Sequence, residues 1–113
     1  IAHKTKRRAY IRSAYFGGRK VFIDSYWEHL MQKPKRERKE RLRLYAASFE
    51  TIENTRCAPT SRYNPNGNGD LLYRFYGVTK NNKEFCVQIK QDRRTGGLYF
   101  MSAFEPKRKA PQV

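Results

Sequence analysis

Between Leu71 and Phe104 the chain runs through three stretches rich in β-formers, Leu71 to Val78, Phe85 to Gln91 and Leu98 to Phe104, separated by only two short turns. Asn81-Asn82 marks the first connection and Thr95-Gly96-Gly97 the second, both short enough for tight hairpins. Three neighbouring antiparallel strands follow from that spacing. In the middle stretch Phe85, Val87 and Ile89 alternate with Cys86, Gln88 and Lys90, so one side meets a core and the other is free to face a ligand. The last stretch offers two alternating sets, Leu98, Phe100, Ser102 and Phe104 or Tyr99, Met101 and Ala103, and either can point inward.

Upstream, Tyr10 to Phe16 and Arg19 to Ile23 read as two short strands joined at Gly17-Gly18, in a segment whose first 20 residues carry seven basic side chains and no acid. Ser25-Tyr26-Trp27-Glu28 has the form of a capping box and predicts a helix from about Ser25 to Gln32 that buries Trp27, Leu30 and Met31. Pro34 sets the next boundary. Beyond it Leu42, Tyr45, Ala46, Phe49 and Ile52 form one stripe at three- and four-residue steps, which predicts a single long helix ending near Asn54 or Thr55, with Arg38, Glu40 and Arg41 near solvent. Ala58 to Asp70, with its prolines, asparagines and glycines, reads as loop. The fold expected is α+β: a short N-terminal basic hairpin, then two helices packed on one face of a small antiparallel sheet. All 113 residues form one domain, with a hairpin extension over 1–23, a core over 24–104 and a basic tail over 105–113.

Charge narrows the partner. Lys and Arg number 25 against 10 Asp and Glu, a formal net charge of +15. Nucleic acid is the polyanion that a small basic domain most often meets, because neutralising phosphates releases condensed counterions. No apolar run approaches the length of a spanning helix, so no membrane partner is expected. Cys57 and Cys86 lack the spacing and the histidine company of a zinc site, and the carboxylates are too scattered for two-metal chemistry. The expectation is a reduced, cytoplasmic protein that needs neither metal nor cofactor.

On the sheet, Arg74, Gln88, Lys90 and Ser102 are expected to line a basic, hydrogen-bonding cleft opposite the helices. Arg12, Arg19, Lys33, Lys35, Arg36, Lys39 and Arg43 are the other candidate phosphate contacts, and Tyr10, Tyr15, Tyr26, Tyr63 and Tyr76 are candidate stacking surfaces for bases. Cleaving RNA without metal requires a base for the 2′-hydroxyl, an acid for the leaving oxygen and cations for the phosphorane. His29 suits proton transfer because an ordinary imidazole titrates near neutrality.

The run Trp27-Glu28-His29-Leu30, the basic helix ending Thr51-Ile52-Glu53-Asn54, Tyr73, Phe85-Cys86-Val87-Gln88-Ile89-Lys90 and Tyr99-Phe100-Met101-Ser102-Ala103-Phe104 together resemble the phage and mobile-element branch of the barnase, EndoU, colicin E5/D and RelE-like nuclease group. The resemblance spans about residues 22–104. It implies a metal-independent, toxin-like endoribonuclease acting on RNA, with His29 and Ser102 as catalytic residues and an antitoxin or immunity protein as a further partner; Lys90 and Arg74, read from the strand pattern as phosphate contacts, complete the expected catalytic set. Two alternatives stand beside it: a non-catalytic RNA- or DNA-binding module that keeps the same basic sheet, and a ribosome-associated basic protein whose basic extension at residues 1–20 orders on rRNA.

Overall fold

The three-stranded unit at the C-terminal end forms as the turns dictate, and four further strands extend it. In a computed structural model, the backbone is described for residues 3–5, 8–64 and 69–106, and side chains from residue 8 onward except those of Ser25, His29 and Glu40. The elements are β1 (His3–Thr5), β2 (Arg8–Ser13), β3 (Arg19–Phe22), α1 (Asp24–Met31), α2 (Lys35–Arg43), α3 (Tyr45–Asn54), β4 (Thr60–Tyr63), β5 (Leu71–Val78), β6 (Glu84–Gln91) and β7 (Leu98–Phe104). One seven-stranded sheet has the order β1-β2-β3-β7-β6-β5-β4. Every pairing is antiparallel except β3 with β7. The helical segment leaves the centre of the sheet after β3, and the chain returns at the far edge as β4. The architecture is α+β, with the helices against one face.

The N-terminal hairpin is part of this sheet. Ile11 and Val21 pair across it and are fully buried. Its turn uses Gly17 and Gly18 at φ 68° and 85°, a region where any side chain would be strained. Just before those glycines Tyr15 and Phe16 fold over β5, with Phe16 edge-on to Tyr73 at 5.1 Å and Tyr15 edge-on to Phe75 at 5.5 Å. The backbone amide of Ala14 donates to the Ile52 carbonyl and ties this turn to α3.

A bulge resolves the ambiguity in β7. Gln88 pairs with Ser102 but Ile89 pairs with Phe100, so Met101 is the extra residue. Leu98 and Phe100 therefore enter the core from one alternating set, and Ala103 enters it from the other. All three are fully buried. The same shift carries Ser102 onto the face of Gln88.

The helices depart from expectation in register and number. Tyr26 and Leu30, not Trp27, Leu30 and Met31, face the core: Tyr26 is 1% exposed and stacks flat on Phe100 at 4.4 Å, whereas Trp27 is 38% and Met31 60% exposed. The i, i+4 pair Tyr26 and Leu30 follows directly on buried Ile23, and Trp27 lies one step further round the helix. Tyr26 is thus a core residue, not a stacking surface for bases. Ser25, the expected cap, has its side chain outside the described residues.

The expected long helix breaks at Leu44 (φ −93°, ψ 0°). The cause is compositional: Lys35-Arg36-Glu37-Arg38-Lys39-Glu40-Arg41-Leu42-Arg43 holds a single apolar side chain, so a straight continuation would carry little onto the sheet. The break buries Leu44 and turns Phe49 and Ile52 inward, while Leu42 is left half exposed. Within the expected loop, Thr60–Tyr63 instead forms the edge strand β4, exposed throughout. The basic tail at 107–109 lies outside the described residues.

Tight packing at the β5–β6 end gives a first test. A Cβ on Gly77 would lie 2.7 Å from the ring of Phe85, which is 2% exposed and has little room to move. Gly77→Ala should lower the unfolding free energy by about 1 to 3 kcal/mol, read as a lower urea midpoint at unchanged slope.

A candidate nucleic-acid interface on the open sheet face

Strand alternation sends Ile11, Val21, Phe75, Val87, Ile89 and Leu98 toward the helices and Tyr10, Arg12, Lys20, Phe22, Arg74, Gln88, Lys90 and Tyr99 to the opposite face, where Leu72 and Cys86 are buried among them. Residue by residue, the pairing lines up Tyr10, Phe22, Tyr99, Lys90, Leu72 and Arg62 across β2, β3, β7, β6, β5 and β4. At a strand spacing of roughly 4.8 Å this row is about 24 Å long. A second row on the same face holds Thr60, Arg74, Gln88 and Ser102, and a third holds Tyr76, Cys86 and Phe104.

Rings and cations interleave along the first row. Phe22 lies 5.8 Å from Tyr99 and 6.5 Å from Tyr10 between ring centroids. The Arg8 guanidinium sits 4.3 Å from the Phe22 ring centre and 5.2 Å from that of Tyr99. Its Nε and Nη2 donate to the two carboxylate oxygens of Asp24, both at 2.9 Å. That carboxylate, chiefly through its hydrogen bond, raises the guanidinium pKa further. Lys20 and Arg12 approach the Tyr10 ring at 4.8 and 5.5 Å, and Lys90 approaches Tyr99 at 5.4 Å. A guanidinium plane is itself a surface on which a base can stack, so the row works as one platform of rings and flat cations.

Arg74, Gln88, Lys90 and Ser102 come together as expected from the sequence, on an open face instead of in a cleft. Arg74 Nε donates to Gln88 Oε1 at 3.0 Å, and its Cζ lies 5.3 Å from the Phe104 ring centre. Arg41 of α2 stands at the same distance from Phe104, while its Nη1 donates to the Ala103 carbonyl. Ser102, 8% exposed, also borders a small pocket with Tyr26, Leu30, Lys33, Arg41 and Met101.

Other expected contacts are distributed elsewhere. Arg12 is on the platform and donates to the Gly18 carbonyl. Arg19 alternates to the helix side and donates to the Gly96 carbonyl at 2.6 Å, tying the β2–β3 turn to the β6–β7 turn. Lys35, Arg36, Lys39 and Arg43 are exposed on α2, beside the sheet end that carries Phe104. His29 falls in α1, whose Tyr26 packs on the helix side of the sheet, and its side chain lies outside the described residues. Arg8, Lys20, Phe22, Tyr99 and Arg62 were not anticipated. The signal for the first four is the period-two alternation of β2, β3 and β7, which becomes one face only through the parallel β3–β7 pairing; Arg62 lies in β4, within the stretch that reads as loop.

Two buried acids link this architecture to pH. Burial pushes the Tyr26 phenol up to about 12 and the Cys86 thiol up to about 11. In the unfolded chain both lose protons at lower pH than in the folded one. Their contribution is therefore complete below about pH 9 and declines between about pH 9 and 12, where the unfolded state binds fewer protons. Urea midpoints measured from pH 8 to 11 should fall, and Tyr26→Phe combined with Cys86→Ala should flatten the decline.

Among the described residues no helix is long and apolar enough to cross a membrane. No protein-family model, curated protein or solved structure matches the chain.

Proposed function

We propose that the chain binds single-stranded nucleic acid, RNA foremost, on the open face of its sheet. The observation that carries this reading is the cross-strand row Tyr10, Phe22 and Tyr99 with Arg8, Arg12, Lys20 and Lys90 set among the rings. Rings take bases irrespective of sequence, and neighbouring cations take phosphates; the two together form the usual surface for an unpaired strand. A duplex hides its base faces and would meet only the cations. Fluorescence anisotropy with a labelled single-stranded RNA and its duplex, across a salt series, tests the reading. The single strand should bind more tightly, with log K falling linearly in log salt. Equal affinity for both would reduce the face to a generic basic patch.

Cleavage of the bound strand is a second reading, favoured by Arg74, Lys90 and Ser102 lying together on that face. Binding needs only cations and ring faces, whereas cleavage needs proton transfer as well; the candidate, His29, is on α1 against the opposite face, so this reading requires the strand to pass round the sheet edge where Ser102, Lys33 and Arg41 line one small pocket. In this reading purified protein incubated with total RNA in EDTA yields 2′,3′-cyclic phosphate ends, and His29→Ala lowers the rate roughly 100-fold or more with RNA affinity retained. Intact RNA after incubation with the wild-type protein leaves the binding function alone.

A further inference from the structure

The centre of the open face holds a donor group of a different kind from the cations around it. Arg74 is fixed on two sides: Nε donates to Gln88 Oε1 at 3.0 Å, and the guanidinium lies beside the Phe104 ring. The Gln88 carbonyl oxygen is engaged by this bond, so its amide nitrogen is the group turned to other partners. Ser102, 8% exposed, is the cross-strand partner of Gln88. The result is a guanidinium fork with its Nε side occupied and its two terminal nitrogens left as a parallel pair of donors, next to a carboxamide.

We infer that Arg74, oriented by Gln88 and Phe104, reads a guanine in the bound strand through the adjacent acceptors O6 and N7. This rests on the single-strand reading above. Guanine is the one base with two neighbouring acceptors on that edge; adenine replaces O6 by an amino donor and would set donor against donor. A phosphate also matches an arginine fork. Two observations favour the base edge. Arg74 Nε is held by Gln88 Oε1, which fixes the plane of the fork as an in-plane base edge requires and a phosphate does not, and the ring of Phe104 beside the fork supplies a surface for the base plane. Phosphates have Lys90 on the neighbouring strand, exposed Arg62 on the edge strand, and Lys20 and exposed Arg12 further along the face.

The test uses the full chain and short uridine-rich single-stranded RNAs that differ at one central position: guanine, inosine, adenine or 7-deazaguanine. Guanine and inosine, which share O6 and N7, should bind alike, and adenine roughly 5- to 100-fold more weakly. Loss of N7 alone should weaken binding by a smaller factor, which a phosphate contact would not register. Arg74→Lys keeps the charge and removes the fork; it should abolish the preference, so that guanine, inosine and adenine RNAs bind it alike. Equal binding of the four RNAs by the wild type, or a preference that survives in Arg74→Lys, overturns the guanine subsite and leaves the platform standing. Absence of binding to any of them overturns both. The wild-type comparison of guanine with 7-deazaguanine decides the matter even if the variant does not fold.

Discussion

Replacing Tyr10 and Tyr99 together by Ala should weaken single-stranded RNA binding by at least tenfold, since each base stacked on a ring contributes roughly 1 to 3 kcal/mol. The salt slope should hardly change, because no phosphate contact is removed. Both rings lie on the half-exposed face and neither belongs to the buried core, so the fold should persist. Charge variants give the converse pattern. Lys20→Ala with Lys90→Ala should reduce the magnitude of the log K against log salt slope by about 1.4, from roughly 0.7 per single-strand phosphate contact. Replacing Lys35, Arg36, Lys39 and Arg43 on α2 by Ala separates the platform from the helix. If RNA affinity is carried by the sheet face, those four changes act mainly through long-range charge and fade at high salt.

Phe100→Ala should be the most damaging single substitution for the fold, costing about 3 to 5 kcal/mol. Phe100 is fully buried, stacks on Tyr26 at 4.4 Å with ring planes 7° apart, and meets Phe49 edge-on at 6.2 Å. It thereby joins β7 to α1 and α3 at once. Truncation would leave a cavity beneath Tyr26, whose hydroxyl reaches the Arg41 carbonyl at the end of α2. The variant should show a lowered urea midpoint or fail to fold at ordinary temperature; a change below about 1 kcal/mol would mean that the helices contribute little to holding the sheet. By contrast Trp27, half exposed, with ring contacts among the described residues to Tyr26 and Tyr45, is a peripheral ring.

What was legible in the sequence is what local pattern decides. The turns at Gly17-Gly18, Asn81-Asn82 and Gly96-Gly97 delimit their strands, and alternation along β6 places Gln88 and Lys90 opposite Val87 and Ile89. Arg74, Gln88, Lys90 and Ser102 meet on one face for that reason. Three features depend on contacts distant in sequence and carry no local mark. The bulge at Met101 decides which of two equally apolar sets in β7 turns inward. The face of α1 is chosen by Phe100, which takes the ring of Tyr26 although Trp27 is larger. The parallel pairing of Val21 with Leu98 and Phe22 with Tyr99 joins the N-terminal hairpin to the C-terminal strands. Without that last pairing, the aromatic row exists only as separated residues, and Phe22 and Tyr99 read as ordinary strand apolars.

The central claim is that RNA is held by the open sheet face, and amide and side-chain NMR shifts during titration with a short single-stranded RNA test it most directly. Expected are saturable perturbations concentrated at Tyr10, Phe22, Tyr99, Lys90, Gln88 and Arg74, with upfield ring-current shifts on Tyr10 and Tyr99 and little change at Phe49 and Ile52 on the buried face of α3. Perturbations confined to α2, or spread evenly over the basic surface without saturation, would contradict it.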